Sequence, residues 1–532
     1  MSSPFAPLRV PAFRAVWLGN LLTNFGGLIQ AVGAAWLMTE IAASDTQVAL
    51  VQASTTLPVM AFSLLSGAIA DNLDRRRVML FAQFGMFVAS AVLVIMTLLD
   101  AINAWSLLAL TFLIGCGVAF NNPSWQASVR DLVGMELLPR AVLLNGVGFN
   151  VTRSVAPALG GVIVATWGAM VAFAVNTVSY LGIIYALWRW RSPQQDEQRL
   201  RESLGEAIRA GVRYAWLASN LRRIYVRSLF FGFGAITVLA LLPLIVRDLL
   251  AGDSVTFGLL LGGFGVGAVV SGLTSENLRE RLSSEQMVRL AFVVLMAAIY
   301  LFSISTSVLL SLVAALLSGW AWVLALALLN TTVQLSTPRW VVGRAMAFYQ
   351  MFAFGGMALG SWVWGTSVDT VALAPTLQLS VAALGLGLLI GIFWPLPSQQ
   401  DLDLDPLNRW VEPDMQLSIE PRSGPVSVSI EYSISAEDVP EFVFLMAERR
   451  RIRRRDGAHQ WSLARDLADS DLWLERFEFT TWADYVRFHA RTTQEDAKVH
   501  DRVRDLHRGG DRPQIKRRLI RDPADKRISR QV

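Results

Sequence analysis

Arg153 stands near the middle of an apolar run from 142 to 166. A guanidinium at that depth in hydrocarbon costs about 3 kcal/mol on insertion scales, so it requires a water-filled cavity, an anionic ligand or a polar brace. No carboxylate falls at similar depth in a neighbouring run: Glu40 lies near the end of the first run and Asp131 beyond the end of the fourth. A path lined by Arg153 without a carboxylate suits neutral or anionic small molecules; the alternative is an arginine that pairs with helix carbonyls and only braces packing. A second group reads Gly67-Ala-Ile-Ala-Asp71-Asn-Leu-Asp74-Arg75-Arg76-Arg77. A helix that ends in Asp71, turns and restarts behind three arginines can form an ionic latch that engages in one state and releases in the next. The alternative is a basic turn that only sets topology. A third group follows Arg153: in Pro157-Ala-Leu-Gly160-Gly161 the proline frees a carbonyl and bends its helix, while the glycines admit a close neighbour. Packing without gating is the alternative there. Proton coupling would need a carboxylate whose affinity for the proton changes as access alternates, and Asp71, Asp131 and Glu40 are the candidates.

Polar residues that can line a path recur at helical spacing. They are Asn20 and Asn24 with Gln30 in the first run, Asn122 and Gln126 with Asn121 in the fourth, and Asn330 and Gln334 in the tenth. Asn145, Asn150 and Gln350 extend the set, and Trp36, Trp125 and Phe348 can supply apolar walls.

These groups need apolar helices to position them. Residues 1–400 carry only 23 of the 47 Lys+Arg and 17 of the 42 Asp+Glu, whereas the last 132 residues carry the rest. Soluble chains are roughly a quarter charged, so the first part is a membrane body and the last a soluble appendage. That division excludes a single globular enzyme, a fibrous chain and, with Cys116 alone, an intramolecular disulfide scaffold. The basic excess sits between apolar runs and gives no argument for nucleic acid. Twelve runs long enough to span a bilayer fall near 13–39, 47–70, 78–98, 104–126, 142–166, 169–188, 224–247, 255–275, 286–305, 308–334, 345–366 and 373–394. The first run is expected to be retained rather than cleaved. Placing the N-terminus in the cytoplasm leaves only Arg247 at an outer end and Arg153 inside a span, so both termini are expected in the cytoplasm.

The expected fold is an all-α polytopic membrane protein of twelve transmembrane helices in two six-helix halves, with a small C-terminal cytoplasmic α+β ferredoxin-like domain. The halves cover 1–188 and 224–394 and are joined by a cytoplasmic linker, 189–223, with an amphipathic helix near Leu204–Trp216. An acidic, proline-bearing linker (395–425), the α+β domain (426–522) and a tail (523–532) follow. In the domain a strand at 426–434, a helix at 437–455 capped by Ser435, strands at 459–466 and 472–479, helices at 482–491 and 494–508 and a strand at 514–520 give a βαββααβ order. His500 and His507 would share a helix face, which admits a metal or acid/base role, but no ligand set at standard spacing completes it. The run Arg449–Arg451 and Arg453–Arg455 faces either anionic lipid head groups or water.

Gly67 to Leu80 resembles the loop-2/3 signature of the major facilitator superfamily, Gly-x-Leu-x-Asp-Arg-x-Gly-Arg-Arg. Gly67, Asp71, Arg75 and Arg76 match, Ile69 and Asn72 depart, and Asp74 replaces a glycine. Arg153 to Gly161 resembles the antiporter signature of the same superfamily, with Ala156 for its first glycine. Asn121-Asn122-Pro-Ser-Trp-Gln126, Pro139-Arg140-Ala141 and Asn330…Gln334…Gly343-Arg344 resemble the transmembrane secretion effector branch, which includes enterobactin-type siderophore exporters. The tail resembles an antibiotic-biosynthesis-monooxygenase type domain carried by some members of that branch.

The resemblance implies a multi-pass carrier of the cytoplasmic (inner) membrane that exports small organic molecules, siderophore-like or drug-like, by alternating access and proton antiport. The proton gradient would be its energy source, with no cofactor and no metal. Its partners would be a small-molecule substrate and the lipid bilayer, with no nucleic acid and dimerisation through the tail. Import by the same fold, and a tail with oxygenase-like or regulatory activity, are the alternatives. The tail has no nucleophile–base pair or cofactor motif, so a regulatory or dimerising tail fits better than an enzyme.

Overall fold

The computed structural model describes residues 5–190, 204–338, 340–397, 403–404, 407, 409–410, 415–417, 419–421 and on to 508, and 513–521. Within the described helices the side chains of 70–72, 135, 150, 154, 204, 206–208 and 210 are excluded. The side chains of Asp71 and Asn150, much of the 189–223 linker and the 523–532 tail therefore lie outside the described residues.

Apolar runs become helices because hydrocarbon offers no partner for an unpaired backbone group. The first half contains α1 (Pro11–Ile41), α2 (Asp45–Asn72), α3 (Arg75–Leu98) and α4 (Ala104–Arg189). Helix α4 is three rods in series. Gly134 (φ 72°, ψ 175°) and Gly168 (φ 79°, ψ 169°) leave helical geometry, in a region of backbone space that only glycine enters cheaply. The second half contains α6 (Ser219–Leu244), α7 (Ser254–Arg279), α8 (Ser284–Ile304), α9 (Val308–Leu335), α10 (Val342–Val371) and α11 (Leu373–Phe393), after the linker helix α5 (Leu204–Leu217). Among the described residues ten helices are long and apolar enough to cross a membrane; one of them, Glu136–Arg189, contains the Gly168 break. Side-chain capping starts several of these helices: Asn103 and Ser106 form a capping box, as do Ser283 and Gln286, and Asp253 accepts from Thr256 N.

Short turns reverse the chain between helices, so successive helices alternate in direction. One face of the body carries the starts of α1, α3 and α6 and most of its arginines, and is called the arginine face below. The opposite face carries Ser44, Asp248 and Asp369.

Polar groups inside the first half pair with one another. Gln30 Oε1 accepts from Ser90 Oγ and Asn176 Nδ2, both at 2.7 Å, and Gln83 Nε2 donates to Asn121 Oδ1 at 3.1 Å. All five side chains are buried. Gln30 and Asn121 thus tie α1, α3 and α4 together rather than lining a path. In the second half Arg227 is fully buried and donates to Glu285 at 3.1 Å, while Arg289 reaches the same carboxylate at 2.7 Å. Glu285 also accepts from Leu396 N at 2.9 Å, and Arg289 donates to Gly391 O at 3.1 Å. A side chain at Gly391 would overlap the Arg227 guanidinium. Removing one partner of a buried pair leaves an uncompensated charge, at a cost of about 3 kcal/mol. Glu285→Gln is therefore expected to lower the thermal unfolding temperature of the detergent-purified protein, and an unchanged temperature would remove this brace from the account.

The tail forms a second compact unit, which also contains residues 205–222 and 334–345. Helix α5, within the 189–223 linker, packs with the tail. Tyr214 meets Trp340 edge-on at 5.4 Å, and the Arg455 and Arg491 guanidiniums lie over Tyr214 and Trp340 at 5.2 and 4.3 Å. Strands β1 (Val426–Ser433), β2 (His459–Arg465), β3 (Leu472–Phe479) and β4 (Gln514–Leu519) make an antiparallel sheet in the order β2-β3-β1-β4. Helices α12 (Val439–Asp456), α13 (Trp482–Arg491) and α14 (Gln494–Asp505) complete the unit. Val428, Tyr432, Phe442, Phe477, Phe479 and Phe488 form much of its core. Ser435 does not cap α12. The N-cap is Asp438, without a side-chain bond, because 435–438 closes first as a turn in which Asp438 N donates to Ser435 O.

A buried carboxylate organises this core. Glu475 meets Arg449 and Arg453, each at 3.3 Å, and accepts from Trp461 Nε1 and Tyr432 Oη at 3.0 Å. Burial is the largest single influence and raises its pKa, but the two guanidiniums and the Trp461 and Tyr432 hydrogen bonds together hold it below the usual carboxylate range. The histidines do not assemble a site: His507 Nδ1 accepts from Ser433 N at 2.9 Å, and both ring nitrogens of half-buried His500 are shielded from solvent without a hydrogen-bond partner. Among the described residues no three His, Cys, Asp or Glu side chains come together as a metal would require. Burial, then nearby arginines, push His489 down to about 3 and His500 well below its ordinary value. Both rings stay neutral in the folded unit, whereas the unfolded chain takes up protons below about pH 6.5. Stability is therefore fully present above that value. It is lost as pH falls below that value, because the unfolded chain takes up protons that the folded rings do not. Limited proteolysis of the tail in the purified protein is expected to accelerate between pH 7.5 and 5; an unchanged rate would contradict the neutral-histidine assignment.

Candidate functional site

Three sets of side chains join helices of the membrane body to one another. The first is the turn between α2 and α3. Asp74, which departs from the superfamily signature, is the N-cap of α3 and accepts from Arg76 N at 2.9 Å. Arg75 Nη1 donates to Asp131 at 2.8 Å and to Ala127 O at 3.2 Å. Arg76 donates to Leu187 O and Trp188 O at 2.7 and 2.8 Å. Both arginines thus fasten α3 to α4 inside their own half, and Asp131 lies within the last turn of a rod that runs to Gly134, longer than the sequence suggests. Among the described residues a Cβ built on Gly67 meets nothing within 4 Å.

The second set joins the two halves. A Cβ at Gly161 would come within 2.5 Å of Ser254 O and 2.8 Å of Gly258 Cα, and a Cβ at Gly258 would meet Pro157 O at 2.8 Å. Helices α4 and α7 therefore touch backbone to backbone, which only small residues permit. Gly160 turns the other way, against Ile29 and Val32 of α1. Two turns toward the arginine face, the half-buried Arg153 guanidinium lies 5.4 Å from the ring centroid of Phe264 on α7. Among the described residues no carboxylate pairs with Arg153; an aromatic face from the other half meets the charge instead.

The third set escapes the sequence reading. The Asp369 carboxylate, near the end of α10, accepts from Asp45 N at 2.9 Å, from Thr46 N at 3.2 Å and from Thr46 Oγ1. Ser44, the formal N-cap of α2, makes no side-chain cap bond. Asp369 supplies that cap from the other half, satisfying first-turn N–H groups and favourably placed against the helix dipole. Arg247 adds a bond to Asp45 at 2.8 Å and one to Asp248 at 2.5 Å. Nearby, a Cβ at Gly365 would meet Ala49 Cβ at 2.8 Å and Thr46 Cα at 3.0 Å. The signal in the sequence is Arg247, which the expected topology leaves as the lone basic residue at an outer end, with acidic residues at the ends of the spans beside it.

The path residues remain spread over separate helices. Asn20 is half-buried and Asn24 exposed on α1, Asn122 and Gln126 are exposed on α4, and on α9 Asn330 is half-buried and Gln334 exposed. Exposed amides within a span, as at Asn24, Asn122 and Gln126, are expensive in lipid, whereas Gln334 lies in the last turn of α9. Of the coupling candidates, Asp131 is paired with Arg75 and Glu40 is exposed in the last turn of α1.

The helical body is that of a major facilitator superfamily transporter. It resembles a bacterial homologue of the human lysosomal transporter Spinster, in an inward-facing and unoccupied conformation, with TM-score 0.59 and 14% identity over 73% of this chain and 98% of that one. It also resembles a D-xylose–proton symporter, with TM-score 0.60 and 13% identity over 73% and 98%. Residues 2–524 match the transmembrane secretion effector model, and the chain belongs to that family. Its relatives include the multidrug efflux pump Tap of Mycolicibacterium fortuitum, 24% identical over 75% of this chain and 97% of that protein. The enterobactin exporter EntS of Shigella flexneri is 24% identical over 71% and 90%.

Proposed function

We propose that the protein is a twelve-span secondary carrier that exports small organic molecules, siderophore-like or drug-like, across the cytoplasmic membrane by alternating access. The observation that carries this reading is the asymmetry of contact between the halves. On the far face the Asp369 cap and the Gly161–Gly258 and Gly365 contacts hold them together, while on the arginine face a Cβ at Gly67 meets nothing within 4 Å among the described residues. Such a pattern fits a carrier closed on one side and open on the other. The arginine excess supports a cytoplasmic arginine face, with both termini on that side, so the described state would be inward-facing. The Gly168 break and the separate helix α10 support a count of two sixes.

Arg153 would contact a neutral or anionic cargo, with Asn20, Asn24, Asn122, Gln126, Asn330 and Gln334 along the path. Gly67, Asp71, Arg75 and Arg76 would form the latch on the cytoplasmic face, and Pro157, Gly160 and Gly161 the seam that closes the outer one. Coupling by proton antiport would fall to Asp71, Asp131 or Glu40. The strand order β2-β3-β1-β4 supports a ferredoxin-like tail, whose role would be regulatory or dimerising rather than catalytic.

The test compares metabolites in the cells and medium of the parent strain and a deletion strain. A compound retained by the deletion strain should then move through vesicles carrying the purified protein, and a protonophore should stop it. Flux that ignores the protonophore would remove proton coupling; no flux in either direction would remove the carrier reading.

A further inference from the structure

The tail's arginine run divides by fate. Arg449 and Arg453 are spent on Glu475, Arg455 on Asp456 and Asp496 at 2.8 Å, and Arg451 on Glu448 at 2.7 Å. Arg450 and Arg454 are exposed, and among the described residues no carboxylate lies within ion-pair distance of either. Both border a cavity of about 410 Å³ with Arg213 of α5, His459, Gln460 and Trp461. Arg213 Nε donates to Arg455 O at 3.3 Å, which sets its stem at the rim, and the Arg450 guanidinium lies 5.5 Å from the Trp461 ring centroid. Gln460 adopts φ 49°, unusual for a residue with a side chain, at a break in the β2–β3 register between His459 and Ser462. The kink places backbone and side chain of one strand against the arginines, at a site of local strain.

We propose that this cavity binds a phosphate-bearing anion. Arg450 and Arg454, both without a carboxylate partner among the described residues, line one space and repel one another, and the C-terminal end of α12 offsets only about half a charge. A phosphate group supplies the missing negative charge and the acceptor oxygens that match the planar donor fork of arginine. The volume admits a group of small-ligand size. Because the walls come from α5, in the chain between the two halves of the membrane body, and from α12 and β2 of the tail, an anion held there fastens the linker helix to the tail. The same chemistry is offered by the head group of an anionic phospholipid and by a soluble phosphate compound.

Hydrogen exchange of the full-length protein in nanodiscs tests the assignment. One arm adds millimolar pyrophosphate to discs of pure phosphatidylcholine; the other uses discs in which part of the lipid is phosphatidylglycerol, without pyrophosphate. Binding should slow exchange about tenfold in segments 205–217 and 450–464 together. Arg454→Gln should raise the required probe concentration about tenfold, with exchange of Val426–Ser433 unchanged as the control for folding. An effect of phosphatidylglycerol alone assigns the site to a lipid head group, and an effect of pyrophosphate alone assigns it to a soluble ligand. No effect in either arm, an equal effect of potassium chloride at matched ionic strength, or an Arg454→Gln protein that responds like the parent would overturn the proposal.

Discussion

Gly161→Leu is expected to abolish transport while leaving each half of the body folded. At this position even a Cβ falls 2.5 Å from Ser254 O and 2.8 Å from Gly258 Cα, so a leucine has backbone, not a movable side chain, in its way. The contact exists only where α4 meets α7 of the other half, so the strain is relieved by opening that face rather than by unfolding. Overpacking typically costs about 1–3 kcal/mol. Against a two-state equilibrium near balance this is about a 5- to 150-fold shift toward the state open on the far face. Flux in vesicles at matched protein levels is the measurement, with Gly161→Ala expected to retain part of it. Full flux in the leucine variant would mean that the seam does not have to close.

Asp369→Ala is expected to act in the same direction through electrostatics. The carboxylate is the acceptor for three donors at the start of α2, and its loss leaves first-turn N–H groups to water. Hydrogen bonds to a charged group contribute about 1.5–3 kcal/mol in buried settings. These are exposed, so a total of about 1–2 kcal/mol is the reasonable size, or about a 5- to 30-fold shift in the closing equilibrium. Arg247 should not compensate, because its bonds run to Asp45 and Asp248. Asp369→Asn should fall between parent and alanine, since the amide oxygen still accepts one bond but carries no charge. Cross-linking between cysteines placed at Ala43 and Val371, in a Cys116→Ala background, reads the closed fraction. An alanine variant that cross-links as fast as the parent would contradict the cap assignment.

Much of this was legible because hydrocarbon and water each impose one pattern. The apolar runs, the glycine- and proline-bearing stretch at 157–161 and the alternation of the tail strands needed no knowledge of the fold. What stayed hidden depends on partners distant in sequence. Gly161 stands out as a small residue, but nothing local points to Gly258 as the surface it meets. Asp369 looks like an ordinary polar residue at a helix end until α2 presents unpaired N–H groups to it. Glu285 hides the same way: its meaning comes from Arg227, whose burial cannot be read from a basic cluster near a membrane face. Gln30 and Asn121 erred in the opposite direction, because a mid-span amide can be satisfied by another amide as well as by a cargo. Asp74, a departure from the family signature, turned out to serve a local purpose as a helix cap.

The proposed transport cycle opens the two halves to one face at a time. Spin-label distances test it most directly, with one pair at Ala43 and Val371 on the far face and another at Arg77 and Arg279 on the arginine face, all exposed positions. A short far-face distance with a long arginine-face distance is expected in the parent, and the reverse in Gly161→Leu. Distances on the two faces that lengthen together, or that stay fixed in parent and variant alike, would contradict it.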